Sequence, residues 1–478
     1  MADLLHDEPF SELLGNADQA VVSADGQWIA ASACWAGQSR VAVYRAADLS
    51  CAHLLTFTEE AEPIAFHPTL PLLAIGLDNG DEYLRAGGLT LLEADTGHRV
   101  DFTDPRRGID LVRWPDPRTL ELTFRAVDMH DEYVHHVSRP TVVRDDWRGL
   151  AADALDLTAL DGPVLDQVTY PDTGSPLTLL QPFAARAGRN YVGRTAVRSV
   201  AGLSDGRVLA TRNRTTLECW APDGSPLWSI PAPTPLGGTR IVVAADERTA
   251  RVAVPRPMDR TDFPLVDTSD GTVLDHPSVP FSAALSARTD GTWAVRDTFE
   301  RSYRNERPDP PDTRFFAADG TPLATVHEPD RDELVPLDAR RCPELLFTRR
   351  RREVIALDPR STAETVLFAA DAPLGRTVYV SDTAGPALLH GRQELVRRTF
   401  PAGDVVWTRP LDAEIVDLDT HAGVAHALCA DGTLVSVATA DGTVLARRPL
   451  PRHGQLSVHA APDGTVLVGT SVGHILRY

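Results

Sequence analysis

Lysine is absent from this chain of 478 residues; all 47 basic residues are arginine. A Walker-type phosphate loop and a Schiff-base enzyme each need a lysine amine, so both are excluded as usually built. Cysteine is sparse. Cys34, Cys51, Cys219, Cys342 and Cys429 are scattered, odd in number and without a CxxC pair. That pattern suits reduced thiols in or near strands, not a disulfide frame or a zinc site. No apolar run approaches the ~18 residues that a membrane helix needs. The opening MADLLHDEPFSELLG is acidic and lacks the apolar stretch of a signal peptide. Positive charge is in deficit as well. A formal net charge of −20 argues against non-specific nucleic-acid binding and against adhesion to anionic membranes, since both need a basic surface. A soluble, acidic, cytoplasmic protein without membrane or nucleic-acid partners is expected.

What the chain does have is turn punctuation. Ten Asp-Gly pairs occur, at Asp25, Asp161, Asp205, Asp223, Asp270, Asp290, Asp319, Asp431, Asp441 and Asp463. Flanked by short β-branched runs, such pairs signal hairpins with type I′ turns, where both central residues take positive φ. Long helical periodicity is hard to find; residues 9–14 and parts of 148–160 are the candidates. The stretch 62–102, EPIAFHPTLPLLAIGLDNGDEYLRAGGLTLLEADTGHRVDF, reads as four strands, at 64–66, 72–75, 89–93 and 99–102. A four-strand unit of about 40 residues is the repeat of a β-propeller blade.

The rest of the chain varies this unit. PDGSPLW, SDGTVLD and ADGTPLA place their aspartates at 223, 270 and 319, which is blade spacing. Units are expected at about 19–57, 62–102, 108–158, 197–230, 239–276, 281–326, 334–368, 376–410 and 414–448. A last unit at 456–478 has three strands, and the N-terminal segment before Ala20 can supply its fourth and remove the open edge. The fold class expected is all-β: a propeller of four-stranded antiparallel blades, about ten in number, spanning 1–478 with an irregular insertion at 159–196. The alternative is a partial propeller over 1–158 beside a seven-bladed ring over 197–478.

The run AFHPTLPLLAIGL is similar to the first two strands of WD40-type repeats, and LTLLEADTGHRV resembles their third and fourth, with DTG in the turn. The Gly-His opening and Trp-Asp ending are absent from most units, so the resemblance is to the WD40-like propeller superfamily. It implies a rigid platform for partners, usually proteins, without catalysis. The run VVRDDWRGL at 142–150, with the DEY loops, resembles bacterial propeller proteins encoded with MoxR-type ATPases and von Willebrand A-domain proteins. That resemblance implies a component of such a system as partner.

Two loops carry the sharpest pattern. Asp78-Asn-Gly-Asp81-Glu82-Tyr83 and Asp128-Met-His-Asp131-Glu132-Tyr133 fall between the second and third strands of successive units. Looser versions are Asp259-Arg-Thr-Asp262 and Asp297-Thr-Phe-Glu300. In a propeller, loops joining the second and third strands emerge on one face. The expected function is therefore a non-catalytic interaction scaffold whose acidic, tyrosine-bearing face binds an arginine-rich protein segment. The bland alternative is solvated acidic loops in an acidic protein. The runner-up reading is a metal-dependent enzyme or binder using carboxylate and histidine loops, with His130, His135 and Asp131 as candidate ligands. His135 and His136 are neighbours and would point to opposite sides of a strand, which weakens that set. No cofactor and no catalytic residue are assigned. The letters GTSVG at 469–473 match a nucleophile elbow, but no helix, acid and histidine can follow in the five residues that remain. The run of arginines at 349–352 reads as a solvated turn.

Overall fold

The computed structural model describes the chain except residues 1–2, 5–8, 14, 36–37, 82–84, 129–133, 166–169, 171–173, 190, 192, 194, 257–259, 280–282, 298–311, 328–333, 338, 350–351 and 451–453. The protein is all-β and is built from successive, mainly antiparallel sheets. It divides into two compact units. Asp7–Arg194 forms one; Met1–His6 and Thr195–Tyr478 form the other. The chain thus starts in the larger unit, builds the smaller one, and returns. No described helix is long and apolar enough to cross a membrane.

The smaller unit holds three sheets. Sheet 1 is Gln19–Val22, Trp28–Trp35, Gln38–Arg45 and Cys51–Phe57; sheet 2 is Ile64–Phe66, Leu72–Asp78, Gly87–Glu93 and Arg99–Asp104. Sheet 3 pairs Gly108–Asp116 with Thr119–Asp128, whose far side is shared by Val134–Ser138 and Thr141–Val143. Val164–Leu165 completes it. Sheets 1 and 2 bury Val41, Val43, Ile64 and Ile75 between them, and sheets 2 and 3 bury Leu89, Leu91, Leu120 and Phe124.

Three sheets leave outer faces that need cover, and irregular chain supplies it. On sheet 1, Phe10 stacks edge-on against Tyr44 and Tyr191, with ring centroids 5.0 Å apart in each pair. The helix Pro176–Arg186 packs against Gln19–Val22 and buries Leu180 and Ala184. This helix lies in the stretch that fitted no unit. Its internal Pro182 is the signal that argues against a helix. The strap 144–160 carries Trp147, Leu150 and Leu157 into the core between sheets 2 and 3. Trp147 meets Trp114 edge-to-face at 4.8 Å, Arg148 bonds Glu93 at 3.1 Å and Asp95 at 2.7 Å, and the Gly149 N–H donates to Glu93. Within the run 142–150, Trp147 and Leu150 are packing residues, while Val143 and Asp145 are exposed.

The larger unit holds seven sheets among the described residues. Sheet 4 is Val197–Gly202, Val208–Arg212, Thr215–Trp220 and Pro226–Pro231. Sheet 5 runs from Arg240–Val243 to Ser278–Val279, with its hairpin strands Thr249–Arg256 and Arg260–Asp262. Sheet 6 runs from Ala283–Ala287 to Pro322–His327, and sheet 7 from Leu334–Pro336 to Glu364–Ala369. Sheet 8 is Arg376–Asp382, Gly385–Gly391, Glu394–Thr399 and Val405–Pro410. Sheet 9 is Ile415–His421, Val424–Cys429, Thr433–Ala438 and Val444–Pro449. Sheet 10 is Gln455–Ala460, Val466–Thr470 and Ile475–Arg477. Asp3–Leu4 adds to sheet 10 as its fourth strand, Asp3 opposite Arg477 and Leu4 opposite Leu476. Ala339–Arg340 adds to sheet 8 in parallel, beside Thr377 and Val378.

Each sheet in this unit buries an apolar face against the next. Leu217 and Val252 meet between sheets 4 and 5, Phe263 and Trp293 between 5 and 6, and Phe315 and Phe347 between 6 and 7. Phe368 and Leu388 follow, then Leu389 and Leu418, then Leu428 and Val458. Sheet 10 in turn packs on sheet 4, through Leu467 and Ile475 against Val197 and Val208. First strands lie side by side in several places, and their free N–H groups need acceptors. Side chains of the adjacent sheet supply them. Asp417 accepts from the Val458 N–H at 2.8 Å, Asp419 from the Ala460 N–H at 2.9 Å and Ser199 Oγ from the Ile241 N–H at 3.3 Å.

The Asp-Gly turns differ from expectation in detail. Gly26, Gly432 and Gly464 are left-handed, with φ of 70°, 82° and 86°, but their aspartates are not among the positive-φ residues. Each aspartate accepts the N–H two residues on: Asp25 from Gln27, Asp431 from Thr433, Asp463 from Thr465. That side-chain bond holds the aspartate in ordinary backbone space, so only the glycine needs the left-handed region. At Gly271 and Gly442 the need is double. φ is 79° and 74°, and an added Cβ would come within 2.8 Å of Trp228 and 2.9 Å of Trp407 respectively.

Candidate functional site

Asp78 is the last residue of its strand, and its backbone exchanges two hydrogen bonds with Glu60, at 2.6 and 3.0 Å. Its buried carboxylate accepts the Gly80 N–H at 2.9 Å and Arg85 Nη1 at 2.5 Å. Arg85 in turn lies 3.8 Å from Asp110, which is ion-paired with Arg125. The Tyr170 hydroxyl donates to Asp110 at 3.2 Å and accepts from Arg125 at 2.9 Å. Carboxylates and guanidinium groups therefore alternate along one end of sheets 2 and 3, which is the arrangement that lowers the energy of partly buried charges.

Around this network stand Asp18, Glu60 and Glu62, exposed carboxylates without an arginine ion pair among the described residues, and Asp81 is exposed as well. Partial desolvation pushes the Glu62 carboxyl above the usual range, and Asp18, Glu60 and Asp110 push it further. Desolvation raises Asp18 too, opposed by the hydrogen bond from the Cys34 N–H at 2.6 Å. The end of sheets 1 to 3 thus concentrates negative charge at some cost to the fold. Gly108 is the point of closest approach. A Cβ there would meet the Asp78 carboxylate at 2.2 Å. Gly108→Ala is expected to displace Asp78 from Arg85 and cost about 2 kcal/mol, measured by urea unfolding at neutral pH; an unchanged midpoint would show that the network yields freely.

The two D-x-x-D-E-Y motifs begin at equivalent points, since Asp78 and Asp128 each close the second strand of their sheet. Asp297 also ends a second strand, with its backbone opposite Ala283. Asp262 does not. It ends the third-strand segment Arg260–Asp262, is buried, and is ion-paired with Arg256. Glu82, Tyr83, His130, Asp131, Glu132, Tyr133, Asp259 and Glu300 lie outside the described residues, as do the side chains of Asp128, His135 and Asp297. Of the expected recognition residues, then, Asp78 and Asp262 are committed to internal arginines and Asp81 is exposed. Among the described residues no group of three or more His, Cys, Asp and Glu is placed to hold a metal ion.

Sequence reasoning did not single out Asp18, Glu60, Glu62, Asp110, Arg85 or Arg125. It also passed over a second polar cluster, in the larger unit. Asp419 is fully buried on Ile415–His421. Besides the Ala460 N–H, its Oδ2 lies 3.0 Å from His459 Nδ1 and 3.7 Å from Arg341 Nη2. Arg341 follows the parallel strand Ala339–Arg340 and donates to the carbonyls of Thr420 and, at 3.1 Å, Ala460. His426, opposite Asp419 on the next strand, has its Nδ1 3.0 Å from Ser436 Oγ, and burial lowers its pKa. The signal was in EIVDLDTH: two aspartates two apart in an apolar strand put both carboxylates on one buried face.

Compared with known proteins, the chain matches no family model and no curated protein.

Proposed function

We propose that Thr195–Tyr478, closed by Asp3–Leu4, is a seven-bladed β-propeller, the second of the two arrangements expected from the sequence. The chain then acts as a non-catalytic interaction scaffold, and the acidic end of sheets 1 to 3 in the smaller unit takes an arginine-bearing segment of a partner protein. The propeller reading is supported by the packing of sheet 10 on sheet 4 and by the strand that Asp3–Leu4 donates to sheet 10. A ring so closed has no open sheet between its ends. The sequence resemblance makes a component of a MoxR and von Willebrand A-domain system the partner class to try first.

The observation that carries the binding reading is the pair of seated guanidinium groups. Asp78 and Asp110 already bind Arg85 and Arg125 within the chain, so the surface has the geometry for arginine. Beside them Glu62 and Asp81 remain exposed. The repulsion of Glu62 by Asp18, Glu60 and Asp110 is relieved when a cation arrives. The test is binding of an arginine-rich peptide and of a purified candidate partner to wild type and to E62R/D81R, by calorimetry at two ionic strengths. Each reversed contact exchanges a weak attraction for a repulsion, so affinity is expected to fall at least about tenfold. Equal affinity for the folded double variant rejects the acidic end as the site.

A further inference from the structure

We infer that Arg341, His459 and Asp419 in the larger unit form a binding site for a small oxyanion that carries its own hydroxyl hydrogen, hydrogen phosphate being the simplest. This goes beyond the scaffold reading and uses neither its residues nor its unit. The chemistry starts at Asp419. An ionised carboxylate only accepts hydrogen bonds, so the His459 nitrogen 3.0 Å from its Oδ2 must be the one that bears hydrogen. In the neutral ring the other nitrogen, Nε2, is then an acceptor. His459 Nε2 has no partner among the described residues, and the side chain is 17% exposed, so a ligand can reach it.

Arg341 supplies the opposite property. Its two terminal nitrogens donate to the carbonyls of Thr420 and Ala460, which fixes the plane of the guanidinium. Its side chain remains 41% exposed, and Asp419 at 3.7 Å is beyond hydrogen-bond range. The fork is therefore held in place with donors to spare, the form in which arginine recognises oxyanions. Arg341 also has a φ of 63°, a left-handed conformation that a residue with a side chain adopts at a cost. The flanking parallel strand and the two carbonyl bonds impose it.

The guanidinium also decides the sign of the ligand. A carboxylate-bound histidine with a free Nε2 is the arrangement seen behind metal ions, but the Asp419 carboxylate is buried and already faces His459 and Arg341, the half-exposed guanidinium repels a second cation, and among the described residues no group of three or more His, Cys, Asp and Glu is placed to hold one. An anion would meet the arginine favourably. Placed against Nε2, it must bring a hydrogen, because two acceptors face to face repel. Phosphate at neutral pH keeps at least one P–O–H; sulfate has the same shape and none. A site with a committed acceptor discriminates strongly against the analogue that lacks the hydrogen.

The test uses the full chain with inorganic phosphate and with sulfate, at ionic strength matched by chloride. Phosphate is expected to raise the thermal midpoint and to bind at least about tenfold more tightly than sulfate. In His459→Asn, the amide can still donate to Asp419 from the Nδ1 position while the Nε2 acceptor is gone. That variant should keep the ligand-free midpoint and lose at least about tenfold in phosphate affinity. Nitrogen-15 spectra of the wild-type histidine rings give a readout that no variant can confound: Nε2 of His459 should shift on titration. Equal response to sulfate and phosphate, an undiminished response in His459→Asn, or an unmoved Nε2 resonance would each overturn the assignment.

Discussion

Replacing Arg397 with alanine is expected to remove about 3–5 kcal/mol of stability, the loss typical when one partner of a buried ion pair is deleted. Arg397 lies on Glu394–Thr399 with 1% of its side chain exposed. Nη1 donates to Asp382 and to the Thr439 carbonyl, both at 2.7 Å; Nη2 donates to Asp382 and to the Gly385 carbonyl, both at 2.8 Å. Thr439 Oγ1 donates to the same carboxylate at 2.5 Å, and Trp407 Nε1 bonds the Thr439 carbonyl at 2.9 Å. Sheets 8 and 9 are clasped through this one guanidinium. The hydrogen bonds from Arg397 hold the Asp382 carboxyl down at about 2, against the desolvation that opposes them and with help from Thr439. A native pKa below the unfolded one stabilises above the unfolded value, and that stability is lost as pH falls through the native value. The drop from 3.8 to about 2 is worth about 2 kcal/mol. Urea midpoints of wild type and Arg397→Ala should therefore lie far apart at pH 7 and draw together between about pH 4 and pH 2. A constant gap across that range would mean that the cost is lost packing and not the ion pair.

Such contacts explain what could be read in the sequence and what could not. The sheets fall on the stretches where alternating apolar runs and Asp-Gly turns placed units, because a strand's pattern and its turn chemistry are local. The split Val134–Ser138 and Thr141–Val143 was not visible, although Pro140 between them is a reason for the break, having no N–H to give to the ladder. The packing roles of Trp147 and Arg148 were also hidden, since a strap has no period to read. At the candidate site, the D-x-x-D-E-Y spacing located the ends of second strands. It could not show that Asp78 is neutralised by Arg85, seven residues away, or that Asp110 and Arg125 extend the network from the next sheet. Those are contacts between elements, and one sequence does not carry their pairing. A charged residue inside a strand pattern was the available warning: Asp110 in GIDLV, Arg125 in LTFRAV and Asp419 in VDLDT each break an apolar run where a partner had to exist.

Asp419→Asn is expected to cost about 3 kcal/mol, and its neighbour Asp417→Asn about 1 kcal/mol. The two make a matched pair. Both carboxylates accept a backbone N–H from Gln455–Ala460, at 2.8 Å from Val458 and 2.9 Å from Ala460. An asparagine at 417 can still offer its carbonyl oxygen to that N–H. At 419 one oxygen, Oδ2, already takes the Ala460 N–H and the His459 ring and faces Arg341 at 3.7 Å, so asparagine there removes a negative charge that two partners use and not only one backbone acceptor. Amide nitrogen facing either donor leaves buried hydrogen-bonding capacity unmet, which costs more than the bond itself contributed. Guanidinium denaturation of the two single variants measures the difference. Adding His459→Ala to Asp419→Asn should then cost less than the sum of the single losses, because the second change removes a donor that the first had stranded. If instead the 419 variant is no weaker than the 417 variant, His459 and Arg341 gain nothing from the carboxylate, and Asp419 is one more cap on a strand edge.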